Sequence, residues 1–353
     1  MASLIPPRAD QGLGSGYHSP QVDVAVRLNT NESPYPPPPG WVEALAEAVA
    51  TIPFHRYPDR SATALRAGLA DLHGVRPEQV FAANGSNEVL QVLLLTYGGP
   101  GRSVAVFEPT YALHSHIARL TGTGVATGDR APDFTLDLGE VKRVLAEADP
   151  AVTFLCSPNN PTGRADPQSA VADVVDLAPG LVVVDEAYGQ FAPWSAVDLV
   201  DDDAGLAVVR TYSKTWSMAA ARLGYLIGPA PLVAEMEARA LPYHLDAIKQ
   251  AAGVLALRFR PEMDARVRAV SAERDRLAAA LGALDVDTWP SDANFILFRP
   301  RSRPSAEVWQ GLLDRSVLVR DCSSWPGLDG CLRVTVGTPD EDDAFLDAME
   351  ATL

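Results

Sequence analysis

LVVVDEAY, Leu181 to Tyr188, decides how the chain is read. Its leading residues are apolar without a polar break, and three are β-branched, which fits a short strand buried on both faces rather than a half-wet one. The run stops at Asp185 and Glu186, and a carboxylate at the mouth of a buried strand needs a partner. Similar runs, VFAAN, SVAVFEPTY, VTFLCSPNN and LAVVRTYSK, alternate with helical segments such as EVLQVLLLTYG and LGEVKRVLAEA. That alternation predicts an α/β fold, a mostly parallel sheet flanked by helices.

Four of these runs end in polar or ionisable side chains: Tyr111, Asn159 with Asn160, Asp185 to Tyr188, and Ser213 with Lys214. Ligands of open α/β sheets bind beyond the carboxyl ends of the strands, so these residues are expected to converge on one crevice.

Outward from this centre the pattern changes. Residues 1–40 are rich in Gly, Pro, Asn and Ser and read as an extended arm, with PYPPPPG as a stiff polyproline II connector. A helix is expected over WVEALAEAVA, and a large domain over residues 41–245. Beyond it, a helical stretch from Ala265 to Leu284 precedes NFILF, SVLVRD and CLRVTV. That order predicts a smaller α+β C-terminal domain, residues 246–353, which the N-terminal arm joins.

The chain of 353 residues is 47% hydrophobic, enough for a sizeable core. Its net charge of -16 argues against a nucleic-acid surface, which needs clustered Lys and Arg. Cys156, Cys322 and Cys331 are odd in number and lack C-x-x-C spacing, so neither a disulfide framework nor a zinc site is expected, and a reducing cytoplasm is. No basic leader precedes an apolar run, and no segment approaches the ~20 apolar residues of a membrane span, so neither secretion nor membrane insertion is expected. His114 and His116 lie two apart, which on a helix points the rings in different directions and argues against a metal pair.

The chemistry centres on Lys214 in TYSKTWSMAAARLGY. A free lysine has a pKa near ~10.4, so a nucleophilic one needs a site that lowers it. Asp185 is placed to hold a proton on a pyridine nitrogen, turning that ring into an electron sink, and Tyr188 and Asn160 to donate to a ring oxygen. In NGSNE the N–H groups of Gly85, Ser86 and Asn87 precede a strongly helical segment and would cradle a phosphate. Ser213 and Arg222 would complete that clamp.

Taken in order, NGS, PTY, SPNNPTG, DEAY and SK with a downstream arginine resemble the pyridoxal-phosphate-dependent aminotransferases of fold type I, most closely the histidinol-phosphate aminotransferase family. The resemblance extends from VRLNTNESPYPPP through HRYPD to CLRVTVGTPDE. It implies pyridoxal 5'-phosphate as cofactor, joined covalently to Lys214, with Asp185 on the ring nitrogen and Tyr111 stacked on the ring face. It implies that Tyr57 of HRYPD reaches the cofactor phosphate of a second subunit, hence a homodimer with shared active sites. Arg333 would grip the anionic end of the substrate, with Arg320 and Tyr17 as helpers.

The implied reaction passes an amino group from histidinol phosphate to 2-oxoglutarate in histidine biosynthesis. An aromatic amino-acid aminotransferase and a threonine-phosphate decarboxylase on the same scaffold are the alternatives. Ser86 and Asn87 stand where many relatives have Ala-Asp, a change that backbone binding tolerates. Thr215 and Trp216 bear on the pocket wall and therefore on the substrate.

Overall fold

The computed structural model describes residues 21–353, so Tyr17 and the rest of the arm's first half lie outside the described residues. The chain enters through a short strand, β1 (Val26–Leu28), and two helices, α1 (Pro39–Thr51) and α2 (Thr63–His73). It then builds a seven-stranded sheet from β2 (Val80–Ala83), β3 (Ser103–Glu108), β4 (Gly124–Asp129), β5 (Val152–Cys156), β6 (Leu181–Asp185), β7 (Leu206–Thr211) and β8 (Gly224–Ile227). The spatial order is β2-β8-β7-β6-β5-β3-β4. Strands β3 to β7 run parallel to one another, and β8 runs antiparallel to both β7 and β2.

The apolar runs are continuous because the sheet is covered on both sides. Val182, Val184 and Val208 belong to one core cluster, whereas Val183 and Val209 belong to another across the sheet. Each such side chain, fully buried, contributes about 1.5–3 kcal/mol, so neither face tolerates a polar residue until the strand ends. Helices α3 (Ser86–Tyr97), α4 (Leu113–Leu120), α5 (Leu138–Ala148), α6 (Gln168–Leu177) and α7 (Ala230–Arg239) supply much of that cover. Two strands of this sheet carry little sequence signal. The edge strand β4 reads GVATGD, with small residues in place of a valine run, and β8 is only GYLI, close behind the lysine loop.

Helix α8 (Ala247–Leu257) lies beyond the expected boundary at residue 245, yet it buries Ala252, Leu255 and Ala256 in the core shared with α2. The 23-residue helix α9 (Arg260–Gly282) then ties the two halves, with Met263 in that core and Leu277 and Leu281 in a second one. The second core is roofed by a five-stranded sheet of order β1-β11-β12-β10-β9, made from β9 (Val286–Thr288), β10 (Phe295–Pro300), β11 (Val317–Asp321) and β12 (Leu332–Thr335). Helices α10 (Ser305–Leu313) and α11 (Pro339–Glu350) complete it. Residues 26–28 of the arm pair parallel with β11, which brings the following residues, Asn29 to Glu32, to the mouth between the two sheets.

Candidate active site

A cavity of about 400 Å³ opens beyond the carboxyl ends of β5, β6 and β7. Ten residues expected from sequence line it: Ser86, Asn87, Tyr111, Asn160, Asp185, Tyr188, Ser213, Lys214, Arg222 and Arg333. Asn29, Thr30, Asn31 and Glu32 line it as well.

Its floor is Asp185, buried at the end of β6. One carboxylate oxygen accepts from the Ala187 N–H at 3.0 Å, and the other lies 3.0 Å from Nε2 of His114 on α4. An ionised carboxylate only accepts, so Nε2 carries the proton in this pair. The His114 ring stacks on Phe154 of β5 with centroids 4.7 Å apart and meets Tyr111 edge-on at 5.4 Å. His114 thus orients Asp185 from behind and buttresses the aromatic residue above it. Sequence spacing judged this histidine only as one of a metal pair and gave no sign of this role.

One wall is an anion cradle. Gly85 (φ +81°) caps α3, and a side chain there would put a Cβ 2.9 Å from Arg222 Nη2. Gly224 lets β8 approach the same turn, since a Cβ on it would fall 2.3 Å from the Ser86 nitrogen. Both positions therefore require glycine, and the free N–H groups opening α3 stand beside Arg222. Arg222 donates to Ser213 Oγ at 3.3 Å and to the Ala219 carbonyl at 3.2 Å. A helix N-terminus, a hydroxyl and a guanidinium meeting at one point suit a phosphate.

Between cradle and floor, Lys214 donates to the Thr30 carbonyl at 3.0 Å and lies 5.7 Å from the centre of the Tyr188 ring. Burial, reinforced by the positive charges of Arg333 and Arg222 and opposed by Glu32, lowers its pKa to about 7. The Tyr188 hydroxyl accepts from Asn31 Nδ2 at 2.9 Å, which leaves its own proton to donate, and burial holds its pKa above the usual phenol value. Asn31 sits at φ +53°, a left-handed conformation asparagine tolerates, and its backbone N–H and side chain both bond Thr335 of β12.

Arg333 of β12 closes the far end. It donates to Asn160 Oδ1 and, at 3.1 Å, to the Asn29 carbonyl, and its guanidinium lies 5.1 Å from the centre of the Phe295 ring. Its Nε is buried without a hydrogen-bond partner within the described chain. Because Asn160 accepts through Oδ1, its amide N–H₂ remains to donate. Arg320 pairs with Arg333 across the β11–β12 ladder but does not line the cavity; its guanidinium lies 5.9 Å from the Trp325 ring. Tyr57 is 80% exposed, stacks on Tyr243 with centroids 4.5 Å apart, and is outside the cavity too. Among the described residues no cluster of His, Cys, Asp and Glu could hold a metal ion.

These residues fit pyridoxal phosphate. The glycine-shaped cradle suits its phosphate, the buried Asp185 its ring nitrogen, Tyr188 and Asn160 its ring oxygen, and the lysine of lowered pKa its aldehyde carbon.

Comparison with known proteins agrees with this chemistry. The family described as aminotransferase class I and II matches residues 23–349. A histidinol-phosphate aminotransferase of Frankia casuarinae is 48% identical over 96% of this chain and 88% of its own length. One of Streptomyces avermitilis is 47% identical over 98% and 96%. Among solved structures, the histidinol-phosphate aminotransferase of Sinorhizobium meliloti in complex with pyridoxal-5'-phosphate superposes with a TM-score of 0.85, at 21% identity, over 93% of this chain and 91% of that one. At that identity the superposition speaks for the fold, that of the type I pyridoxal-phosphate enzymes, whereas the family follows from the match over nearly the whole sequence: the chain belongs to the class I and II aminotransferases.

Proposed function

We propose that this enzyme transfers the amino group of histidinol phosphate to 2-oxoglutarate, forming imidazole acetol phosphate and glutamate in histidine biosynthesis. What carries the reading is near-full-length identity of 47–48% to proteins bearing that name, joined to a cavity whose far end is the single guanidinium of Arg333. The names of these relatives favour it over aromatic amino-acid transamination and over decarboxylation of threonine phosphate.

Each residue has a task in that reaction. Arg333 pairs with the substrate's anionic end and so places the amine-bearing carbon beside Lys214. Pyridoxal phosphate, when bound, supplies the electron sink that makes the proton on that carbon removable. Lys214 Nζ, whose pKa burial lowers to about 7, accepts this proton and later returns it. Asp185, oriented by His114, would hold a proton on the ring nitrogen, and Tyr188, which accepts from Asn31, would with Asn160 donate to the ring oxygen. The second substrate then meets the same set of groups, and its carboxylate takes the place of the phosphate on Arg333.

Adding histidinol phosphate alone to the loaded enzyme is expected to shift the cofactor's visible absorbance in one half-reaction, with no carbon dioxide released. A shift with phenylalanine and none with histidinol phosphate, or carbon dioxide from threonine phosphate, would overturn the assignment.

The working unit is a homodimer. Tyr57 and Tyr243 stack in the open, and Phe54 and Leu241 are 68% and 78% exposed, an apolar surface that a second copy would cover. Tyr57 would then reach the partner's phosphate cradle. Sedimentation should give twice the chain mass, and a Tyr57→Phe, Lys214→Ala mixture should form dimers with one site carrying both changes and one carrying neither. A fully active monomer contradicts this. The enzyme's place is the cytoplasm: its three cysteines are free thiols, and among the described residues no helix is long and apolar enough to cross a membrane.

A further inference from the structure

The β11–β12 ladder pairs Arg320 with Arg333 and Asp321 with Leu332. One step further, Cys322 meets Cys331, and the Cys322 N–H donates to the Cys331 carbonyl at 3.0 Å. Opposed residues of an antiparallel pair have Cα atoms about 4.5–5.5 Å apart, inside the span of a disulfide. The alternation of the pleat turns both thiols to the face that also carries Arg320 and Arg333, away from Asp321 and Leu332. They are buried together in one small cluster with Leu297, Leu328 and Phe134, and both are free.

The eight residues between them, SSWPGLDG, form the loop that holds Trp325 near Arg320. Cys331 also lines a second cavity, of about 490 Å³, together with Pro326, Trp289, Arg299 and Glu108. That cavity leads a small reagent to the Cys331 side of the pair without passing through the catalytic cavity. The third thiol, Cys156, is part of the catalytic cavity and stands apart from this cluster.

We propose that Cys322 and Cys331 form a dithiol–disulfide pair, a modification site that a small-molecule disulfide oxidises and that staples the Trp325 loop to the substrate-arginine hairpin. The Cys331 thiolate attacks the reagent's S–S bond, releasing one reagent thiol and leaving a mixed disulfide. The Cys322 thiolate then attacks the Cys331 sulfur and releases the second reagent thiol. Two protein thiols lose two electrons and two protons, and one reagent disulfide becomes two thiols. Burial pushes both thiols up to about 11, so exchange at neutral pH is slow and the pair answers to sustained oxidation.

The test is to incubate the folded holoenzyme with oxidised glutathione, block remaining thiols, and map peptides without reduction. The expected result is a linked Cys322–Cys331 peptide that dithiothreitol removes, with proteolysis between Ser323 and Gly330 slowed in the oxidised protein. Cys322→Ser and Cys331→Ser should each abolish the link and the protection, and if either variant fails to fold the wild-type map still decides. Absence of the linked peptide, its formation only after unfolding, unchanged proteolysis of the oxidised loop, or a link through Cys156 would each overturn the proposal.

Discussion

Lys214→Ala is expected to lower turnover by about 10⁴-fold or more, and borohydride should no longer fix pyridoxal phosphate to the chain. The magnitude follows from how far the site departs from an ordinary lysine. Burial and the charges of Arg333 and Arg222 lower its pKa to about 7, so the free amine is neutral far more often at neutral pH than a solvated lysine is. The cavity thus supplies available base, and the Thr30 carbonyl at 3.0 Å supplies position. Lys214→Arg separates the two contributions: it retains length and charge but stays protonated, so its turnover should fall about as far as that of the alanine variant. Steady-state rates with a borohydride-treated peptide map check both. Covalent cofactor and undiminished turnover in Lys214→Ala would place the essential amine elsewhere.

The apolar runs announced the sheet because both of its faces are covered, so burial on either side excludes polar residues from the strand interiors. The polar residues that end those strands line one cavity for the same reason, since Asp185 and Lys214 sit where burial of carbon gives way to polar side chains. The Gly85 cradle was legible because a turn at positive φ before a helix leaves few residue choices.

What escaped sequence reading depends on contacts distant along the chain. Nothing local in LHSHIARL says that His114 will meet a carboxylate 71 residues away. The carbonyls of Asn29 and Thr30, which hold Arg333 and Lys214, are backbone atoms and carry no residue signature. Asn31 could have been suspected: a cluster of turn-forming polar residues directly after a strand invites a left-handed position, and a buried amide needs partners. Helix α8 fell on the far side of the expected boundary because its apolar face fits either core by composition, and only packing against α2 decides.

Arg333→Ala should raise the Michaelis constants for histidinol phosphate and for 2-oxoglutarate together, each about 10²-fold, or ~2.7 kcal/mol, the range for truncating a buried hydrogen-bonded charge. Both should rise if, as proposed, one guanidinium serves both anions, one per half-reaction. Arg333→Lys keeps the charge but loses the planar fork, so an intermediate rise of about tenfold is expected. A loss confined to one substrate would mean that the two anions have separate receptors. A second readout distinguishes anion binding from general loosening of the site. Arg333 is the strongest of the charges that lower Lys214, so its removal lets the Lys214 pKa rise towards the ordinary lysine value. The amine is then protonated over a wider range, and the acidic limb of the pH profile moves to higher pH. A variant that lost only the packing between Arg333, Asn160 and Asn29 would lose rate without moving that limb.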